Sequence, residues 1–263
     1  MEYGLKHFLL FFVTAPTEKK MLTDPMLFNE PPLLFNHLST LKNRFGEHAT
    51  LVADVCLCPI TLDGHCGIVH NDKVDNDKSL PFLSTQALWL AQAGADFVAP
   101  SDMMDGRVSA IRQILDENDF EQTGILSYTA KYASSYYWPF RHALDSAPKG
   151  TLSHRKTYQM DFHNQKEALK ELALDEKEGA DIVMVKPALC YLDIIMLYAS
   201  HTTLPVAAYS VSGEYEWVKQ MARLGVVEER ELLIENLTAI NRAGASIIIT
   251  YAASEIARKR WIY

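Results

Sequence analysis

The sequence predicts a single α/β domain over residues 1–263 with the fold of a (β/α)8 TIM barrel. Short apolar runs alternate with helical patterns along the chain, which is typical of a parallel sheet with right-handed crossovers. Polar, reactive side chains follow nearly every predicted strand, as at the mouth of a barrel. An open doubly wound sheet normally has a glycine-rich phosphate turn after an early strand, and this sequence has none. These observations favour the barrel.

Seven runs are predicted to be strands because they are almost continuously apolar and rich in β-branched or aromatic residues. Such runs indicate parallel strands that are buried on both faces. The predicted strands are residues 9–13, 50–57, 95–99, 124–128, 181–185, 206–209 and 246–250. An eight-stranded barrel needs one more strand, and the residues before the first run leave no room for it.

Helices are predicted between these strands wherever apolar residues recur at helical spacing. They cover residues 33–45, 83–93, 108–117, 166–178, 191–201, 213–224 and 228–242. Gly94, Gly179 and Gly244 lie just after three of them, where glycine adopts the left-handed conformation that ends a helix. A predicted strand follows shortly after each of these glycines.

The overall charge and the cysteine pattern narrow the class of protein. A net charge of −8 and a pI near 5.6 argue against nucleic-acid or anionic-membrane partners. No run approaches the roughly 20 apolar residues that span a bilayer. Three of the four cysteines lie within eleven positions, which favours metal binding over a disulfide framework. We therefore expect a cytoplasmic enzyme.

Two lysines are the leading catalytic candidates, because Lys131 and Lys186 each follow a predicted strand. A nearby cation or burial lowers the pKa of a lysine and frees its amine to form an imine with a ketone or aldehyde. The alternative is that each lysine only pairs with an aspartate or extends to solvent. This alternative is weaker for Lys186, which ends a strongly apolar strand where an unused charge is costly.

The metal candidates are Cys56, Cys58 and Cys66, in the segment CLCPITLDGHC. Three thiolates bind zinc well and leave a fourth position open to water or substrate. The alternative is a set of three reduced, half-buried thiols. His65 could be a further ligand, but we interpret it as a surface residue, as lone histidines in loops more often are, and we interpret Cys190 as a helix-packing residue.

Residues 136–161 form a long polar connection that contains Arg141, His154, Arg155 and Lys156. Connections of this length usually have a function. We interpret it as a lid whose arginines hold a carboxylate, although a solvated surface loop has a similar composition.

These motifs together resemble the porphobilinogen synthase family, also called delta-aminolevulinic acid dehydratase. The matching segments occur in the family order from about residue 51 to 251. They are ADVCLCPITLDGHCGIV, NDKSLPFLSTQALWLAQAGADFVAPSDMMDGRV, LSYTAKYASSYYWPFR, RKTYQM, GADIVMVKPALCYLDI, VSGEYEWVK and RAGASIIITY. The family has a (β/α)8-barrel fold, and its members condense two molecules of 5-aminolevulinate to porphobilinogen with loss of two waters.

The resemblance assigns a role to each matching position. It implies that Lys186 forms the Schiff base with the first substrate and that Lys131 forms the imine with the second. The three cysteines would bind a catalytic zinc ion, and Glu171 would bind an allosteric magnesium ion. The remaining positions would bind the two substrates: Ser212 and Tyr251 the first carboxylate, Asp54 and Ser101 the first amino group, and Arg141, Arg155 and Gln159 the second carboxylate.

The sequence also departs from the family pattern. Cys190 replaces the second proline after the Schiff-base lysine, Leu62-Asp63 replace the usual pair in the metal loop, and Trp138 replaces a common glycine. The family begins with an extended arm and a first barrel strand, and neither has a counterpart here. We therefore expect an N-terminally truncated barrel with one gap, in which the homo-octamer of the family lacks its supporting arm.

Two other functions are compatible with parts of the sequence. A class I aldolase-like lyase needs one Schiff-base lysine on the same fold, but the cysteines and the second lysine argue against it. An inactive, truncated member of the family would retain the motifs without turnover, and the missing first strand is the main argument for it.

Overall fold

The computed structural model describes residues 3–13, 30–143, 147–149 and 152–261. Its strands are β1 His7–Leu10, β2 Thr50–Val55, β3 Ile68–His70, β4 Lys73–Asp75, β5 Phe97–Pro100, β6 Gly124–Lys131, β7 Ile182–Lys186, β8 Val206–Ser210 and β9 Ile247–Thr250. Seven of these form one parallel sheet in the order β1-β2-β5-β6-β7-β8-β9. The predicted barrel of parallel strands is confirmed, and each predicted strand is found to within a few residues.

The helices are α1 Asn36–Phe45, α2 Asn76–Gln92, α3 Arg107–Asp116, α4 Trp138–Ala143, α5 Lys166–Glu178, α6 Leu192–His201, α7 Ser212–Arg223, α8 Glu229–Arg242 and α9 Ala253–Lys259. The predicted ends are mostly right because cap residues mark them. Helix α5, for example, ends at Gly179, whose φ of 98° lets its amide donate back to the Asp175 carbonyl.

Helix α2 begins seven residues before its predicted start, despite Pro81 in its second turn. Asp75 explains the early start, because its carboxylate accepts a hydrogen bond from the Lys78 amide at 3.1 Å and caps the helix. The hairpin of β3 and β4 before this helix was not predicted from the sequence. Asn71 and Asp72 form its two-residue turn at φ of 51° and 57°, a conformation that these residue types tolerate.

The hydrophobic core has two layers. The outer layer packs the helices against the sheet around fully buried residues such as Leu38, Leu90 and Ile111. The inner layer fills the barrel with larger side chains, including Tyr128 and Met184. Because the interior is packed rather than hollow, the open space for reactive side chains lies at the carboxyl ends of the strands.

Strands β1 and β9 are the two ends of the sheet, and within the described residues neither pairs with a strand on its outer side. A cavity of about 390 Å3 lies between them and is lined by Leu9, Val52, Ile247 and Ile249, among others. The barrel is therefore nearly closed, with the gap between its first and last strands. No helix in these ranges combines the length and the apolar character that crossing a bilayer requires.

Candidate active site

A pocket at the carboxyl ends of the strands collects most of the predicted functional residues. Its lining includes both candidate lysines, one of the clustered cysteines and most of the predicted substrate-binding residues: Lys131, Lys186, Cys58, Asp54, Ser101, Arg141, Arg155, Ser212 and Tyr251. These side chains come from strands or loops that are far apart in sequence. Only the parallel barrel brings them to one mouth.

Lys131 and Lys186 are the last residues of β6 and β7, and they lie directly opposite each other in the register of this parallel pair. Paired residues in a sheet point to the same face, and both side chains are buried, with 5% and 6% of their surface exposed. The two amines share one neighbour, the Tyr128 ring, at 5.4 and 5.0 Å from its centroid. The two nitrogens therefore face one pocket.

An aromatic cage surrounds the Lys186 nitrogen. The Tyr209 ring centroid is 4.2 Å away, and the rings of Tyr128, Tyr137, Phe140 and Phe11 follow at 5.0 to 6.0 Å. Aromatic faces attract a cation, but they replace water only in part. The Lys131 amine has a different surrounding, because it donates to the Ser101 carbonyl.

Burial, and after it the positive charge of Lys131, lower the pKa of Lys186 from 10.5 to about 7, although the negative charge of Asp54 opposes them. Near neutral pH about half of the Lys186 side chains are then unprotonated amines, the form that attacks a carbonyl carbon. Burial raises the pKa of Asp54 to about 6, against the opposing effect of both lysines. The site thus combines a free amine with a carboxyl group that can exchange a proton near neutral pH.

Cys56, Cys58 and Cys66 form a buried cluster in which all three sulfur atoms lie within 4.8 Å of one another. Zinc–sulfur bonds of about 2.3 Å place the sulfurs of a tetrahedral site about 3.8 Å apart, so the cluster fits a zinc ion with little movement. Hydrogen bonds from the other two thiols, with Arg155 nearby, lower the pKa of Cys66. Three convergent thiols without a disulfide are the donor set that zinc prefers.

The predicted lid residues lie beside this cluster. A guanidinium nitrogen of Arg141 donates to the Gln159 side-chain oxygen at 3.4 Å, and Arg141 also stacks on Tyr137. Arg155 is buried, and the cysteines, Cys66 first, outweigh the cost of burial and raise its pKa. Residues 144–146 and 150–151 of the predicted lid lie outside the described residues. The described lid therefore brings two cations to one side of the pocket.

Hydroxyl groups form the other side of the pocket. Ser212 is the first residue of α7, and its oxygen accepts from the Phe140 amide at 3.1 Å. The Tyr251 hydroxyl accepts from Tyr209 at 3.2 Å. Glu214 supports this wall, because its carboxylate accepts hydrogen bonds from the Leu189 and Val211 amides and so joins the turns after β7 and β8.

Glu171 lies outside the pocket, on α5. Burial raises its pKa to about 7, although the positive charge of Arg107 opposes this change. Among the described residues, the three cysteines are the only group of at least three histidine, cysteine or acidic side chains whose ligand atoms converge closely enough to hold a metal ion. Magnesium at Glu171 thus stays a prediction.

Two interpretations of single residues were wrong. His65 is 1% exposed rather than a surface residue, because it is enclosed between the cysteine loop and the lid. Cys190 is exposed rather than packed in a helix, and its thiol donates to the Tyr136 hydroxyl at 3.4 Å. The aromatic cage was missed altogether, although Tyr128, Tyr137 and Tyr209 all lie within a few positions of a strand end.

The fold and the site define a (β/α)-barrel enzyme in which paired lysines lie in one pocket beside a cysteine cluster that could hold a metal ion. The chain belongs to the delta-aminolevulinic acid dehydratase family, whose model matches residues 1–259. This family consists of hydro-lyases that make porphobilinogen, as the sequence motifs indicated.

Individual relatives agree with this assignment. The delta-aminolevulinic acid dehydratase of Archaeoglobus fulgidus is 46% identical over 98% of this chain and 78% of its own length. The enzyme of Helicobacter pylori is 45% identical over 97% of this chain and 77% of its own. A crystal structure of the Toxoplasma gondii enzyme with its product porphobilinogen is 44% identical, with a TM-score of 0.90 over 98% of this chain and 73% of that one.

Proposed function

We propose that this chain is a porphobilinogen synthase that condenses two 5-aminolevulinate molecules to porphobilinogen and releases two waters. The observation that carries the proposal is the pair of buried lysines, in register on adjacent strands and over one tyrosine ring. One lysine is sufficient for a simple imine-forming lyase. Two amines in one pocket suit a reaction that captures two ketones side by side.

Lys186 takes the first substrate. Its unprotonated amine attacks the ketone carbon, a carbon–nitrogen bond forms, and the carbonyl oxygen leaves as water to give the imine. Asp54 and Ser101, buried at the same mouth, bind the amino group of this substrate. The hydroxyl groups of Ser212 and Tyr251 bind its carboxylate.

Lys131 takes the second substrate by the same chemistry. Arg141 and Arg155 bind its carboxylate, and Gln159 holds Arg141 in place through their hydrogen bond. Fixing both substrates in one pocket removes much of the entropic cost of joining them. Asp54 is available to move protons, since its pKa lies near 6.

Zinc is the metal that we propose for Cys56, Cys58 and Cys66. When bound there, it would act as a Lewis acid beside the second substrate. Magnesium at Glu171 and a homo-octameric assembly follow from the family alone, and we propose both as expectations. Changing Glu171 to glutamine would then remove any activation by magnesium, and native mass spectrometry measures the assembly.

Borohydride trapping tests the proposal. Borohydride reduces an imine to a stable secondary amine, so incubation with 5-aminolevulinate and borohydride is expected to label Lys186. Peptide mass spectrometry would locate the label. Colorimetric detection of porphobilinogen, with zinc and with a chelator, follows turnover. Lys219, which pairs with Glu229 and Glu255 on the outside of the barrel, provides the control in a Lys219→Met variant that keeps both signals.

The outcomes separate the alternatives. Labelling of Lys186 by other ketones, without any porphobilinogen, would favour an aldolase-like lyase. Folded, zinc-loaded protein that is neither labelled nor active would identify an inactive family member.

A further inference from the structure

The cysteine loop and the lid are joined by a continuous set of contacts. We define the metal loop as residues 56–66 and the lid segment as residues 147–149 and 152–160. The Lys149 amide donates to the Asp63 carbonyl at 2.8 Å, and the Arg155 guanidinium donates to the Gly64 carbonyl at 2.8 Å. His65 contacts the Leu152 carbonyl through Nε2 at 2.7 Å. Three successive residues of the metal loop thus contact the lid segment.

The partners of His65 determine the direction of its hydrogen bonds. A carbonyl oxygen only accepts, so Nε2 carries a proton and donates to Leu152. In the neutral ring Nδ1 then accepts from the Tyr158 hydroxyl, 3.0 Å away. The Tyr158 oxygen in turn accepts from the Cys66 amide at 3.3 Å. A chain of hydrogen bonds therefore runs from the backbone of a metal ligand, through two side chains, to the backbone of the lid.

Two members of this chain, His65 and Cys66, are buried where a lost hydrogen-bond partner is costly. His65 is 1% exposed, and the Cys66 residue is fully buried. The two aromatic rings meet edge to face, with centroids 5.9 Å apart. A buried donor or acceptor without its partner is unfavourable. Opening the lid therefore loosens the Cys66 backbone, and disturbing the Cys66 backbone loosens the lid.

We propose that His65 and Tyr158 are positioning residues that couple metal binding at the cysteines to closure of the lid. This inference rests on the proposed function, in which the lid arginines and the metal at the cysteines both act on the second substrate. Metal at the cysteines fixes the Cys66 backbone, and through Tyr158 and His65 it fixes Leu152 and the lid segment. The coupling is reciprocal, so a closed lid strengthens metal binding by the same factor.

Tyr158→Phe is the sharpest test, because it removes one hydroxyl and keeps the ring. Loss of a single hydrogen bond of ordinary strength predicts zinc binding about threefold to tenfold weaker, measured by competition with a chromophoric chelator. The matched control is Tyr198→Phe, which removes a tyrosine hydroxyl that is also hydrogen-bonded, to the Ala168 carbonyl on the helical side of the barrel, in a fully buried residue. This control is expected to bind zinc as the unchanged protein does.

Limited proteolysis gives a readout that a purely structural role would not change. Lys149 and Lys156 are exposed trypsin sites in the lid segment. Zinc is expected to slow cleavage there in the unchanged protein, and to slow it less in Tyr158→Phe and in His65→Phe. Circular dichroism checks that each variant is folded, and Tyr158→Phe alone suffices if His65→Phe does not fold.

The proposal is overturned if zinc does not slow lid cleavage in the protein without substitutions. It is also overturned if Tyr158→Phe equals that protein in both zinc affinity and protection of the lid by zinc. Neither measurement needs substrate, so its result is separate from borohydride trapping. Trapping that fails while zinc still protects the lid would contradict the proposed function and leave the coupling in place.

Discussion

Replacing Lys131 with methionine should move the pH dependence of imine formation at Lys186 upward. The two nitrogens lie 5.4 and 5.0 Å from the centroid of the same Tyr128 ring, so no more than about 10 Å separates them. At an effective dielectric constant near 20, two positive charges at this distance repel by about 1.7 kcal/mol or more. Removing one charge therefore raises the pKa of Lys186 by about one unit.

The direction of this change follows from which form reacts. The unprotonated amine attacks the ketone, and the pKa of Lys186 near 7 leaves about half of it unprotonated at pH 7. An ordinary lysine with a pKa of 10.5 would be unprotonated in about three molecules of ten thousand. In Lys131→Met the midpoint should shift to about pH 8, and trapping below pH 7 should fall about tenfold.

The assay is the rate of borohydride trapping of 5-aminolevulinate at Lys186, measured between pH 5 and 9 by intact mass. Lys131→Arg is the control, since it keeps the charge and should keep the midpoint near pH 7. A midpoint that stays in place in Lys131→Met, or moves to lower pH, would refute the argument that the second lysine activates the first.

Three further changes test the metal site and the framework around it. Cys56→Ser should reduce bound zinc, measured by elemental analysis, from about one ion per chain to near zero. The control Cys190→Ser, at the exposed cysteine, should leave the bound zinc unchanged. Asp175→Asn removes the carboxylate 3.4 Å from the buried Arg107 guanidinium and should lower the free energy of unfolding in urea by about 3 kcal/mol; an unchanged value would contradict the importance of this pair. Gly213→Ala would place a methyl group against the Tyr136 carbonyl and should lower the free energy of unfolding by about 1–3 kcal/mol, visible as a lower melting temperature; an unchanged melting temperature would contradict this close approach.

The fold could be predicted from the sequence because local signals agree with the global pattern. Continuous apolar runs marked the parallel strands, and glycines such as Gly179 marked helix ends by their backbone freedom. The hairpin of β3 and β4 was missed because its strands are only three residues long and half-exposed. Its turn at Asn71-Asp72 was nevertheless a readable signal.

The site was predictable only where the chemistry lies in the residue type at a strand end. Lysines and cysteines at strand ends can be recognised in this way, and most predicted positions line the pocket. The role of His65 depends on Tyr158, 93 positions later in the chain, so no local pattern reveals it. The aromatic cage was hidden for a similar reason, since tyrosines near strands are usually only core residues.

Strand β1 has a consequence for the lifetime of the imine. Phe11 follows directly after this strand, forms one wall around the Lys186 nitrogen and packs edge to face on Phe140 at 4.9 Å. Within the described residues β1 is hydrogen-bonded only to β2, and strands held on one side separate locally more easily. Each such separation would admit solvent to the covalent intermediate and hydrolyse it back to the ketone. If the proposed imine forms at Lys186, we therefore expect the fraction of captured substrate that reaches product to depend on how firmly β1 stays docked.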